Sequence, residues 1–81
     1  MKYKKKKLYE VQVDPGVSIR VYRIYSKSEE FFLVTFDVKG WSIPLATGYT
    51  PWGAVALASL SPIVKDSESL QKALAVLSYA I

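Results

Sequence analysis

The acidic side chains Glu10, Asp14, Glu29, Glu30, Asp37, Asp66 and Glu68 are the groups of this sequence best suited to proton transfer, because it has no histidine and no cysteine. Without those two residue types, Ser-His and Cys-His dyads and soft-metal sites are excluded. None of the carboxylates stands in a catalytic pattern. Glu29 and Glu30 fall in a polar turn and read as a solvated pair. Asp14 belongs to a turn and Asp66 to a helix cap. Asp37 interrupts an apolar strand opposite Ser18 and reads as a cross-strand hydrogen-bond partner. Gly48 and Gly53 are isolated and no lysine follows them, so no phosphate-cradling loop is present. The expected function is therefore binding and not catalysis, with no cofactor, no metal and no small-molecule substrate.

The cations are better organised. The net charge is +4, and Lys2, Lys4, Lys5, Lys6 and Lys7 supply the excess. A run of this kind gains affinity for a polyanion by releasing phosphate counterions, without reading base sequence. Tyr3 and Tyr9 interleave with it, and aromatic rings stack on unpaired bases. Residues 1–7 thus read as a basic arm for DNA or RNA, with Arg20, Arg23 and Lys27 as supplements. A solubilising tail has the same composition.

The elements that carry these groups follow from periodicity. At 81 residues, 51% hydrophobic and 14% aromatic, the chain suits one small folded domain, expected over residues 8–81. Residues 8–13 alternate, with Tyr9, Val11 and Val13 on one face. Asp14-Pro15-Gly16 is a turn, and Val17–Tyr25 is a second strand. A three-residue loop pairs Val13 with Val17, Val11 with Ile19, Tyr9 with Val21 and Leu8 with Tyr22. The same register sets Glu10 against Arg20, an opposite-charge pair that sheets favour. After the turn at residues 26–29, a third strand pairs Val21 with Val34, Ile19 with Phe36 and Val17 with Val38. Trp41-Ser42-Ile43 forms a short fourth strand or none, stopped by Pro44. Thr50 and Pro51 are an N-cap and first-turn proline, so a helix runs from about Pro51 to Leu60. Asp66 or Ser67 caps a second helix, whose Leu70, Ala73, Leu74, Leu77 and Ile81 form one amphipathic face. Trp41, Tyr49 and Trp52 are expected to cluster at the start of the first helix. The fold class is α+β: an antiparallel three-stranded meander, four-stranded if residues 41–43 join it, with two helices packed on one face.

The run FxVxFxVKG…ATGYTPWGAVALASL resembles the second half of a double-stranded-RNA-binding domain, and it is similar to HicB-type antitoxins, over about residues 17–62. That resemblance implies a β-β-β-α unit. It departs at the helix start, where the RNA-binding family has lysines and this chain has Pro51, Trp52 and Gly53. The family's first helix has no counterpart here.

A second binding surface follows from the register. Leu8, Tyr22 and Leu33 share the sheet face away from the helices, with Ile24 and Phe31 beyond them. An exposed apolar patch of this kind marks an interface. The alternative to nucleic-acid binding is thus a small protein-interaction domain, a homodimer through Leu8, Tyr22, Ile24, Phe31 and Leu33. The longest apolar runs are too short to cross a bilayer, and LYEVQVD follows the lysines where a secretion signal needs an apolar core. A cytoplasmic protein without a membrane partner is expected. The absence of Cys, His and Asn fits a thermophilic source.

Overall fold

The computed structural model describes residues 2–81. Four antiparallel strands lie in sequence order as a meander: β1 (Lys4–Asp14), β2 (Val17–Tyr25), β3 (Glu30–Val38) and β4 (Trp41–Gly48). Three helices follow: α1 (Pro51–Ala58), the single turn α2 (Pro62–Lys65) and α3 (Glu68–Ala80). The class is α+β, with a full fourth strand and one more helical segment than the sequence suggests.

The register of β2 on β3 is the one that alternation dictates, with Val21 against Val34, Ile19 against Phe36 and Val17 against Val38. Between β1 and β2, Tyr9 faces Val21, Glu10 faces Arg20 and Val11 faces Ile19. Two irregularities depart from the simple ladder. Asp14, not Val13, pairs with Val17, so the loop is Pro15-Gly16 alone, with Gly16 at φ +76°. Proline followed by a positive-φ glycine is the combination a type II turn needs. The second shift lies between Lys7 and Tyr9, where Leu8 is the extra residue of a bulge and Lys7 takes the place opposite Tyr22.

Residues 4–7 are thus not an arm but the first part of β1, paired with residues 22–25 of β2. Lysine is a poor strand former on its own, and the hydrogen-bonding edge offered by β2 decides its conformation. The β3–β4 hairpin closes through Lys39-Gly40, both at positive φ (48° and 86°), the pattern of a type I′ turn. Pro44 does not stop β4. A register shift falls between Val34 and Thr35, opposite Leu45, and Pro44 sits beside it on an edge strand. Edge strands and bulges are where proline is tolerated, because the missing N–H costs no ladder bond there.

One face of the sheet carries the core. Ile19, Val21, Phe32 and Val34 pack with Ala54, Val55 and Ala58 of α1, Val64 of α2, and Leu70, Ala73, Leu74 and Leu77 of α3. Thr50 caps α1 by accepting from Gly53 N–H at 2.9 Å, and Ser67 caps α3 by accepting from Leu70 N–H at 3.3 Å. The predicted aromatic cluster is absent. Trp41 opens β4 and Gly48 closes it, a span of ~23 Å at strand rise. Trp41, Tyr49 and Trp52 are 76, 89 and 62% exposed.

Candidate interaction surfaces

Alternation along the strands divides the expected cationic site into two. Lys5 and Lys7 pair with Ile24 and Tyr22 and share with Arg20 the sheet face away from the helices. Lys4 and Lys6 pair with Tyr25 and Arg23 and point to the other side. Lys27 lies in the β2–β3 turn, and Lys2 precedes β1. Several of these charges are already engaged. Lys7 Nζ donates to Glu10 at 2.6 Å, Arg20 Nε donates to the same carboxylate at 2.9 Å, and Arg23 Nε donates to Glu30 at 2.7 Å. Lys5 Nζ stands 4.2 Å over the centre of the Tyr22 ring, and Arg23 stacks at 4.1 Å on Tyr25. Among the described residues, Lys2, Lys4, Lys6 and Lys27 make no ion pair, and they gather at one end of the sheet with Tyr3 and Tyr25.

The face without helices holds a shallow concavity of about 730 Å³, lined by Lys5, Glu10, Arg20, Asp37, Lys39 and Trp41 among others. Each of its two carboxylates is approached by a cation, and Lys5 and Lys39 leave it a net positive charge. The hydrogen bond from Lys7, then that from Arg20, holds the Glu10 carboxyl at about 2, well below the ordinary 4.5. Glu10 in turn pushes the Arg20 guanidinium further toward its protonated form, with a smaller push from Tyr22. Asp37 accepts from the Thr35 hydroxyl at 2.8 Å and lies 3.8 Å from Arg20 Nε, so its hydrogen bond comes from its own strand and not from Ser18 opposite. A carboxylate with so low a pKa, shared by two cations, is a poor proton acceptor near neutral pH. The centre of this face is an ion-pair network of Lys7, Glu10 and Arg20 with Asp37 at its edge.

The apolar end of that face is filled rather than bare. Leu8 leaves it altogether, because the bulge turns the side chain into the core beside Tyr9 and Val11. Tyr22 is buried under Lys5, and Ile24, Phe31 and Leu33 are half-buried. The Tyr3 ring meets Phe31 edge-on at 6.0 Å. The segment expected to be an arm is the cover of the patch expected to be an interface.

The bare apolar surface lies on the helical side, where sequence reasoning did not place it. Trp52, Leu57, Leu60 and Ile63 are 62, 52, 61 and 42% exposed, beside the fully solvated Tyr49. Helix α1 buries Ala54, Val55 and Ala58 and is just as apolar on its outer side. A helix apolar all round is normally buried on all sides, and this one is covered on one side only. Next to it, Phe31, Gly48, Tyr49, Gly53 and Leu57 line a groove of about 470 Å³ with Glu29 and Glu30 at its rim. One signal in the sequence marks this surface: residues 40–64 contain no charged side chain. Solvated faces of small proteins rarely do without charge over such a length.

No helix among the described residues is long and apolar enough to cross a membrane. Among the described residues, no group of acidic side chains could hold a metal ion. No family model matches the chain, and no match is found among curated proteins or solved structures.

Proposed function

We propose that the protein is a non-catalytic interaction module whose working surface is the outer side of α1 together with Ile63 of α2. The observation that supports it is the exposure of Trp52, Leu57, Leu60 and Ile63 in a segment, residues 40–64, without a single charged side chain. Contiguous apolar surface of this kind in a small protein marks a contact site, and exposed tryptophan supplies the large rigid anchor such contacts use. Binding of an environment-sensitive apolar dye to the full chain tests it. Leu57→Glu should abolish the dye signal while the far-UV spectrum stays native. A folded protein that takes up no dye, or takes it up equally in the variant, refutes the reading.

A second reading is a nucleic-acid-binding module, and it draws on Lys2, Lys4, Lys6 and Lys27. These cations are clustered at one end of the sheet with Tyr3 and Tyr25. They suit a phosphate backbone without base readout. The β-β-β-α resemblance to double-stranded-RNA-binding and HicB-type proteins agrees with that reading in a general way. Against it stands a structural use for the same residues: lysines on the edge strand β1 discourage pairing with another sheet. Anisotropy titrations with DNA and RNA oligonucleotides at ~50 and ~200 mM salt separate the two, since phosphate contacts make affinity fall steeply over that range. Binding should be lost when Lys4 and Lys6 become alanine. No binding at the lower salt excludes the nucleic-acid role.

A further inference from the structure

We propose that α1 pairs with α1 of a second copy about a two-fold axis, so that the protein works as a homodimer. The inference rests on the interaction surface assigned above and names its partner. Trp52, Ala56 and Leu60 follow at intervals of four residues and make one exposed ridge along α1 and just past its end. In an antiparallel pair centred on Ala56, Trp52 of one copy meets Leu60 of the other and the two alanines meet at the axis. A large–small–large ridge is its own complement in that arrangement, and ridges at four-residue spacing are what packed helices interdigitate. Leu57 and Ile63 widen the apolar contact on either protomer.

Charge singles out a second copy as the occupant. A two-fold axis brings each group near it close to its own duplicate, so any charge there faces a like charge. Residues 40–64 have none to repel. The carboxylates of Glu29 and Glu30 line the groove with Tyr49 and Leu57, off the Trp52–Ala56–Leu60 ridge that would lie at the axis, and they oppose an anionic bilayer. The area also suffices. With Tyr49 at 89% and the other exposures already given, the patch offers on the order of 700 Å², close to the ~800 Å² per partner of a standard interface. The dimer leaves both β1 edges outside, so one particle carries two basic ends and gains avidity for any polyanion.

Sedimentation velocity and tryptophan quenching of the full chain, from nanomolar to high micromolar concentration, test the proposal. At the upper end the mass should be twice the 9.1 kDa of one chain. In Trp41→Phe, Trp52 is the sole tryptophan, and its access to a neutral quencher should fall severalfold on association. Ala56→Glu and Leu60→Glu both fall on exposed positions. Each should weaken association at least a hundredfold with the far-UV spectrum unchanged. A monomer at high micromolar concentration, with Trp52 freely quenched, overturns the pairing. If that monomer still binds the apolar dye through Leu57, the surface serves a different protein; if it does not, the interaction reading falls as well. A dimer that survives both glutamate substitutions overturns the α1 pairing too, and Leu33→Asp then tests the open sheet face.

Discussion

Replacing Gly48 by alanine should separate α1 from the sheet. A β-carbon on Gly48 would lie 2.7 Å from the Ala54 nitrogen, 3.0 Å from its Cα and 3.1 Å from the Gly53 carbonyl carbon. All three are backbone atoms, so no side chain can swing aside and the first turn of the helix must lift. Ala54 has no exposed surface, and Val55 and Ala58 move with it out of contact with the sheet. Overpacking of a close-packed interior costs ~1–3 kcal/mol, and a helix backbone as the obstacle argues for the upper end. A gain of ~0.4–1 kcal/mol from restricting the unfolded chain opposes it. The net loss is then about 2 kcal/mol, against a total of ~4–12 kcal/mol for a domain of this length. In thermal unfolding that is a fall of ~8–16 °C. Gly53→Ala is the control, because its β-carbon would meet the Thr50 hydroxyl at 2.9 Å, which is a side chain. Turning that hydroxyl away sacrifices the cap, at ~1 kcal/mol, while the helix gains nearly as much from losing a glycine. Urea denaturation followed by far-UV circular dichroism should show Gly53→Ala near wild type and Gly48→Ala far below it. Equal midpoints for Gly48→Ala and wild type would refute the close approach of β4 to α1, and a larger loss in Gly53→Ala would invert the argument.

Two further outcomes follow from local geometry. The Glu10 carboxyl is depressed to about 2 from an ordinary 4.5, so its contribution to stability is complete above about 4.5 and disappears as pH falls through about 2. Glu10→Gln should therefore lower the urea midpoint near neutral pH, with the gap to wild type closing under acid and narrowing in high salt; a gap that persists at the lowest pH would show that packing, not charge, explains it. Lys39 holds φ at +48° in the β3–β4 turn, a conformation that costs most L-residues ~1–2 kcal/mol and asparagine less. Lys39→Asn, which creates the favoured Asn-Gly pair, should raise the thermal midpoint by a few degrees, and an unchanged or lower midpoint would mean that Lys39 supplies a compensating contact.

Alternation of apolar and polar residues was enough to set most of the sheet by itself. Tyr9 against Val21, Glu10 against Arg20 and Ile19 against Phe36 follow from period two together with the turn residues, because any one-residue slip would turn the core outward. The caps at Thr50 and Ser67 are equally local, since a hydroxyl needs only the N–H three residues on. What period two cannot carry is a place where it breaks. The bulge at Leu8 adds a residue to one strand alone, and only pairing with β2 reveals that Lys7 faces Tyr22 while Leu8 enters the core. Residues 4–7 have the composition of a solvated tail, and the free edge of β2 makes them a strand. Pro44 reads as a stop until the sheet places it on an edge beside a bulge. The exposed apolar side of α1 is hard to read from sequence for a related reason. Helix α1 has no amphipathic period, and only the small side chains of Ala54, Ala58 and Ser61 mark a side that can lie close against a sheet. The choice is made by the sheet, where Gly48 lets the small Ala54 side approach and leaves Trp52, Leu57 and Leu60 in water.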